Sequence, residues 1–180
     1  MKRYCLYLFI LIGISCSAEL KAQKNGTIYK GNDPAVRYTG RTLVSPDGSV
    51  AFDWVGTYLE TRFTGGKLSV KVSETGTSYY NVFVDGKLHK VVKVCGTDTL
   101  IHLVSGIDKR IHSLKIQKRS EGEFGKTTVH QFVLSGSGRL AEEPAVRTRH
   151  IEFIGNSLTC GYGTDGKHRD EPFLVETENC

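Results

Sequence analysis

From Thr27 to Leu134 the chain is a succession of short runs in which apolar and polar residues alternate, divided by Gly, Asp and Ser. Leu68-Ser69-Val70-Lys71-Val72 is the clearest run. A period of two sends alternate side chains to opposite faces, so each run reads as a half-buried strand. Tyr80-Asn81-Val82-Phe83-Val84 meets Asp85-Gly86, and Leu88 to Val94 (LHKVVKV) follows. Apolar runs on both sides of Asp-Gly form the strongest short hairpin signal, because the tight turn needs positive φ. Val50 to Trp54, Tyr58 to Phe63, Thr99 to Val104, Ile111 to Ile116 and Val129 to Leu134 read the same way. Short strands at this spacing predict a two-sheet β-sandwich. No stretch before residue 150 carries a helical period, so a mainly β domain is expected over residues 23–140.

Ser135 to Pro144 (SGSGRLAEEP) changes character and reads as a linker. Beyond it, in RHIEFIGNSLTCGYG (Arg149 to Gly163), an apolar run of Ile151, Phe153 and Ile154 stops at Gly155. Ser157 follows two positions later, with Gly161 and Gly163 after it. The pattern predicts one buried strand, 151–154, and a sharp turn: the opening of a second, α/β part over residues 141–180. A strand that ends at a glycine offers its next serine hydroxyl at the sheet's carboxyl edge. Open α/β sheets bind ligands there, and serine nucleophiles are placed there. Only about 30 residues separate this run from Cys180, against the ~100 of a typical domain. The second part is therefore expected to be incomplete.

The first residues read as an export signal. Lys2 and Arg3 precede Leu6 to Ile14 (LYLFILIGI), an apolar core too short for a resident span, and Leu20-Lys21-Ala22-Gln23 offers a cut after Ala22. Lipidation at Cys16 competes, although Gly13 is a poor residue where a lipobox wants a larger aliphatic one. The expectation is a secreted or periplasmic protein, with no membrane segment once residues 1–22 are removed. Losing Lys2, Arg3 and Lys21 with Glu19 takes the formal charge from +5 to +3. The densest basic patch, Lys115 to Arg119 (KIQKR), has no interleaved aromatics, which argues against nucleic-acid binding. Cys5 and Cys16 belong to the leader, leaving Cys95, Cys160 and Cys180. That odd number allows one disulfide, Cys160 with Cys180 among the choices, and spacing does not select the pair. No CxxC or HxxxH spacing points to a metal, and no cofactor is expected.

Gly155-Asn156-Ser157-Leu158-Thr159 resembles the first block of the SGNH, or GDSL-like, esterases, whose usual form is Gly-Asp-Ser. The longer IEFIGNSLTCGYG, preceded by a sandwich, resembles carbohydrate esterase family 2. Trp54-Val55-Gly56 and Phe63-Thr64-Gly65 are similar to turns of that family's N-terminal jelly-roll. Glu176-Thr177-Glu178-Asn179 is similar to the segment after its serine loop. The resemblance implies a jelly-roll β-sandwich followed by the first strand and turn of a truncated α/β SGNH hydrolase domain. It also implies acetyl-ester hydrolysis on an acetylated polysaccharide such as xylan. Ser157 would attack the ester carbonyl once a base takes its proton. The Ser157 backbone N–H, at the start of the following helix, would hold part of the oxyanion. In the family the remaining donors and the histidine base come from later blocks, which this chain lacks, so the chain alone is expected to be inactive. Asn156 departs from the usual Asp; it loses a negative charge but keeps local turn hydrogen bonding as an Asx residue.

Six histidines could stand in as base: His89, His102, His112, His130, His150 and His168. The first four fall on sandwich strands, where a half-exposed strand position is the plain reading. His150 lies at the far end of the strand leading to Ser157, and His168 sits in the polar loop Asp165 to Glu171. Trp54, Tyr58, Tyr79 and Tyr80 would make a sugar-stacking platform if they shared a face; core or edge packing is the competing reading for each. Cys160 is expected to pack beneath the serine turn, and Glu176 and Glu178 to be solvated. Two other functions compete. One is a carbohydrate-binding sandwich without catalysis; the other is a lipid or thioester hydrolase built on the same serine block.

Overall fold

Alternation decides which side chains face inward, but strand length and bending decide how many layers form. The computed structural model describes residues 26–142, 148–149 and 151–177. The proposed leader, His150, Glu178 and Cys180 lie outside the described residues. Ten strands follow in chain order. They are β1 (Thr27–Lys30), β2 (Val36–Thr39), β3 (Leu43–Val44), β4 (Val50–Phe52) and β5 (Tyr58–Glu74). Then come β6 (Thr77–Val84), β7 (Lys87–Cys95), β8 (Thr99–Lys118), β9 (Thr127–Ser135) and β10 (Arg139–Leu140).

Every pairing is antiparallel. In the first layer the N-terminal half of β5 lies between β2 with β10 and the C-terminal half of β8; β6 and β7 complete it. In the second layer the C-terminal half of β5 lies between the N-terminal half of β8 and β9, beyond which come β1 and the β4–β3 pair. The two layers are therefore one hydrogen-bonded sheet folded on itself. Tyr58–Phe63 and Leu68–Val72, which read as two strands in the sequence, are halves of one; Thr99–Val104 and Ile111–Ile116 are likewise both in β8.

The fold in β5 has a local cause. Leu59, Thr61 and Phe63 are buried before the bend, and Leu68, Val70 and Val72 after it. The inward set changes from odd to even because the ladder shifts register between Thr64 and Gly66, again before Leu68, and again before Ser69. Extra residues on one strand bend it and reverse its faces. Gly66 supplies the backbone for this at φ +83°, and a Cβ there would sit 2.3 Å from the Ser135 carbonyl oxygen. Only glycine fits.

The core lies between the halves. Phe52, Leu59, Val70, Val92, Leu103 and Ile116 line one small interior gap, and they come from β4, β7 and both halves of β5 and β8. Burying such side chains contributes about 1.5–3 kcal/mol each. One end of the sandwich is polar instead. Lys118 is fully buried, and its Nζ donates to Ser78 Oγ at 2.7 Å and to the Gly125 carbonyl at 3.2 Å. Burial pushes this ammonium below its usual range, opposed by the nearby Glu74 carboxylate. Glu74 also accepts from the Thr127 hydroxyl, which sits 2.5 Å from the Tyr80 hydroxyl. A buried charge persists only when partnered in this way.

Three expectations change. Within the Ser135–Pro144 stretch read as a linker, Arg139–Leu140 pairs with Thr64–Phe63, and Leu140 is buried. The Val50 run ends at Phe52. The expected first strand of the α/β part, 151–154, is not a strand: Ile151, Phe153 and Ile154 are 82 %, 81 % and 89 % exposed. A strand needs a ladder partner, and none lies beside this run among the described residues.

The bend makes a prediction. Gly86, in the Asp85-Gly86 turn, has φ +75° and open space around its Cα. Gly86→Ala should cost only the left-handed backbone term, about 1 kcal/mol. Gly66→Ala adds a backbone collision and should cost about 3 kcal/mol or more. Urea unfolding midpoints compare the two; similar losses would show that the bend does not depend on glycine.

Candidate functional site

Ser157 opens a single helical turn, α1 (Ser157–Cys160). The turn forms from local chemistry. Asn156 is its N-cap in extended backbone, and its side-chain oxygen accepts the Leu158 N–H at 3.1 Å. This satisfies one of the donors a helix start leaves unpaired. Gly161 closes the turn in the left-handed region at φ +75°, donating its N–H to the Ser157 carbonyl. Gly163 is also left-handed, at φ +74°. Gly155 is required for a different reason, since a Cβ there would come 2.1 Å from Thr159 Oγ1.

The Ser157 side chain is exposed, and among the described residues its hydroxyl makes no hydrogen bond. No described histidine is bonded to it. His168 lines a separate cleft with Tyr162 and Phe173. Cys160, expected beneath the turn, is exposed and unpaired, its thiol 3.4 Å from the Ser157 carbonyl oxygen. A four-residue helix has no interior to pack against. The segment meets the sandwich through an ion pair between Asp165 and Arg119.

The four aromatic candidates do not form one platform. Tyr80 points into the core, and burial pushes its phenol far above the usual range. Tyr58 lies on the outer face of the first layer with Lys115 Nζ 4.2 Å from its ring centre. Tyr79 is half-buried, and Trp54 is 65 % exposed in the loop before β5. Glu176 is exposed, as expected.

The strand histidines differ from one another. His89 is exposed; His102 Nδ1 sits 2.9 Å from Ser69 Oγ, and His130 Nε2 sits 2.8 Å from Ser73 Oγ. His112 is not half-exposed but 5 % exposed, against the Phe63 ring. Its Nδ1 lies 2.7 Å from Asp85 Oδ2 and its Nε2 lies 3.0 Å from Asp108 Oδ1. A carboxylate on each nitrogen raises the ring's pKa above the ordinary histidine value, the Asp85 hydrogen bond contributing most and burial opposing it. Asp108, bonded by the Arg110 N–H and by His112, is lowered to about 2. This triad locks the Asp85-Gly86 turn to β8. Sequence reading missed it, because a histidine 27 positions from its partner leaves no local signal.

The sign of its pH dependence is fixed. A histidine with a raised folded pKa adds stability below about pH 6.5, and that stability fades as pH rises through the folded value. Asp85 and Asp108, both lowered, add stability above about pH 4, lost as pH falls toward 2. Urea midpoints from pH 5 to 9 should decline for the wild type and flatten for His112→Gln. An equal decline in the variant would assign the slope to other groups.

Residues 38–144 match the family description "Carbohydrate esterase 2 N-terminal". The chain is 33 % identical over 148 residues to the cellulase/esterase CelE of Acetivibrio thermocellus, covering 82 % of this chain and 18 % of that protein. It is 29 % identical over 135 residues to an acetylxylan esterase / glucomannan deacetylase of Cellvibrio japonicus, covering 74 % and 37 %. Among solved structures, a family two carbohydrate esterase from Clostridium thermocellum in complex with cellohexaose superposes with TM-score 0.74. That match has 33 % identity and covers 80 % of this chain and 44 % of that one. A family two carbohydrate esterase from Cellvibrio japonicus gives TM-score 0.72 at 26 % identity, covering 85 % and 45 %. The sandwich is thus of the class that forms the N-terminal module of carbohydrate esterases. The chain belongs to carbohydrate esterase family 2, and it spans less than half the length of these relatives.

Proposed function

We propose that this chain is the N-terminal portion of a secreted, acetylxylan-esterase-like polysaccharide O-deacetylase with Ser157 as nucleophile. Residues 1–22 are its export signal, 23–140 its jelly-roll, and 141–180 the start of its SGNH hydrolase domain. The observation that carries the reading is the capped turn at Asn156-Ser157, which holds an exposed hydroxyl with no competing partner in a member of this family. A serine becomes nucleophilic when a histidine accepts its proton. No such partner bonds Ser157 among the described residues, so the base comes from elsewhere in the complete enzyme. The Ser157 N–H, at the opening of α1, contributes to the oxyanion hole. The ester bond breaks as Ser157 Oγ joins the acetyl carbon, and water then releases acetate. The expected substrate is an acetylated, xylan-like polysaccharide.

The chain alone and a fusion carrying it test this with 4-nitrophenyl acetate. The 180-residue chain alone should hydrolyse it no faster than its Ser157→Ala variant. Fused to the remaining hydrolase part of the Cellvibrio enzyme, it should turn over, and Ser157→Ala should remove at least about 10³-fold of that rate. An active Ser157→Ala fusion would exclude Ser157. Exported with its leader, the protein should begin at Gln23.

A binding role without catalysis is favoured by one feature, the exposed indole of Trp54. Aromatic faces stack on the apolar faces of pyranose rings. Insoluble xylan should then retain the chain, and Trp54→Ala should release it; retention unchanged by Trp54→Ala would remove Trp54 from any binding surface.

A further inference from the structure

Where β10 joins the bend of β5, a cleft of about 290 Å³ is lined by Thr64, Gly65, Lys109, Ser137 and Arg139. Its walls are backbone in close approach. Arg139 pairs with Thr64 across the ladder, a Cβ on Gly65 would lie 3.4 Å from Lys109 Cα, and one on Gly138 would lie 2.5 Å from the Gly65 oxygen. At Gly138 a side chain larger than hydrogen would collide with the Gly65 backbone. The cleft lies at the same bend that folds the sheet.

Its charge is unbalanced. Lys109 and Arg139 are exposed, and among the described residues neither makes an ion pair. The carboxylate next in sequence, Asp108, is already committed. Its Oδ1 accepts the Arg110 N–H at 2.9 Å and faces His112 Nε2, and its Oδ2 accepts from Arg110 Nε at 2.9 Å. Two unpaired cations thus stand beside a concave surface that also carries the hydroxyl-bearing Thr64 and Ser137. Its volume of about 290 Å³ lies just under the ~300–1,000 Å³ of ligand clefts, enough for no more than a single sugar residue. A guanidinium holds a carboxylate through two parallel hydrogen bonds, and an ammonium adds a point charge.

We propose that this cleft binds the carboxylate of a uronic acid carried on the acetylated polysaccharide. The assignment rests on the polysaccharide reading above and narrows it to chains with acidic side groups. The cleft lies on the sandwich, built from different residues than the Ser157 turn, so it selects the chain rather than the ester.

Affinity electrophoresis of the 180-residue chain tests it in gels holding glucuronoxylan, the same polymer after carboxyl reduction, or heparin. Lys109 and Arg139 are both exposed, so Lys109→Gln with Arg139→Gln should keep the fold, checked by thermal unfolding. Glucuronoxylan should retard the wild type, and carboxyl reduction or the double substitution should each weaken binding by about tenfold. Added salt should weaken it as well. Equal binding to the reduced polymer, or no effect of the double substitution, overturns the cleft assignment and leaves the esterase reading to the Ser157 experiment. Heparin bound as tightly, with the same dependence on both residues, reduces the cleft to general charge attraction and overturns the uronate. Lack of binding to every polymer also overturns it, and the fusion's esterase rate then shows separately whether the polysaccharide reading survives.

Discussion

The ladder between β5 and β8 is the constraint on which the rest of the molecule depends. These are the two longest strands, and they stay paired on both sides of the bend, from Tyr58 opposite Gln117 to Val72 opposite Thr99. Because each crosses from one layer to the other, the layers cannot slide or rotate independently. β2, β10 and β9 attach directly to β5, and β6 attaches to β8. The core residues meet because Gly65-Gly66 reverses the inward face of β5 midway. A rigid strand of the same composition would bury one half and expose the other.

The Ser157 turn follows a different logic. Asn156, Gly155 and Gly161 shape it through contacts spanning at most five residues. The turn therefore forms without a sheet around it, and the run before it stays unpaired. The activation proposed for Ser157 is not local in this sense. In the proposed mechanism a proton acceptor is brought to Ser157 by tertiary structure, and three of the described histidines are occupied elsewhere: His112 by two aspartates, His102 and His130 by serines of β5.

Much of the sandwich was legible. The period-two runs and the Asp85-Gly86 turn located the main strands, because alternation and positive φ are properties of a few neighbouring residues. What escaped depends on distant partners. Arg139–Leu140 is a strand because the edge of β5 accepts it, while 151–154, with a stronger apolar pattern, joins no edge among the described residues. Tyr80 and Tyr58 carry similar side chains in similar strands, yet one faces the core and the other a lysine. The motif around Ser157 was legible by likeness and by its capping residues. His112 and the Lys109–Arg139 cleft were not, since their partners lie across the fold.

By itself the sequence determined the strand alternation, the hairpin turn and the capped serine turn, each governed by backbone preferences and hydrogen bonds between near neighbours. Tertiary structure alone decided that two pairs of short strands are single bent ones, that His112 is buried between two aspartates, and that Arg139 and Lys109 share a cleft. The reason is physical. A register shift at Gly66 sets which face of β5 turns inward, and burial, pairing and charge balance follow from what then lies opposite.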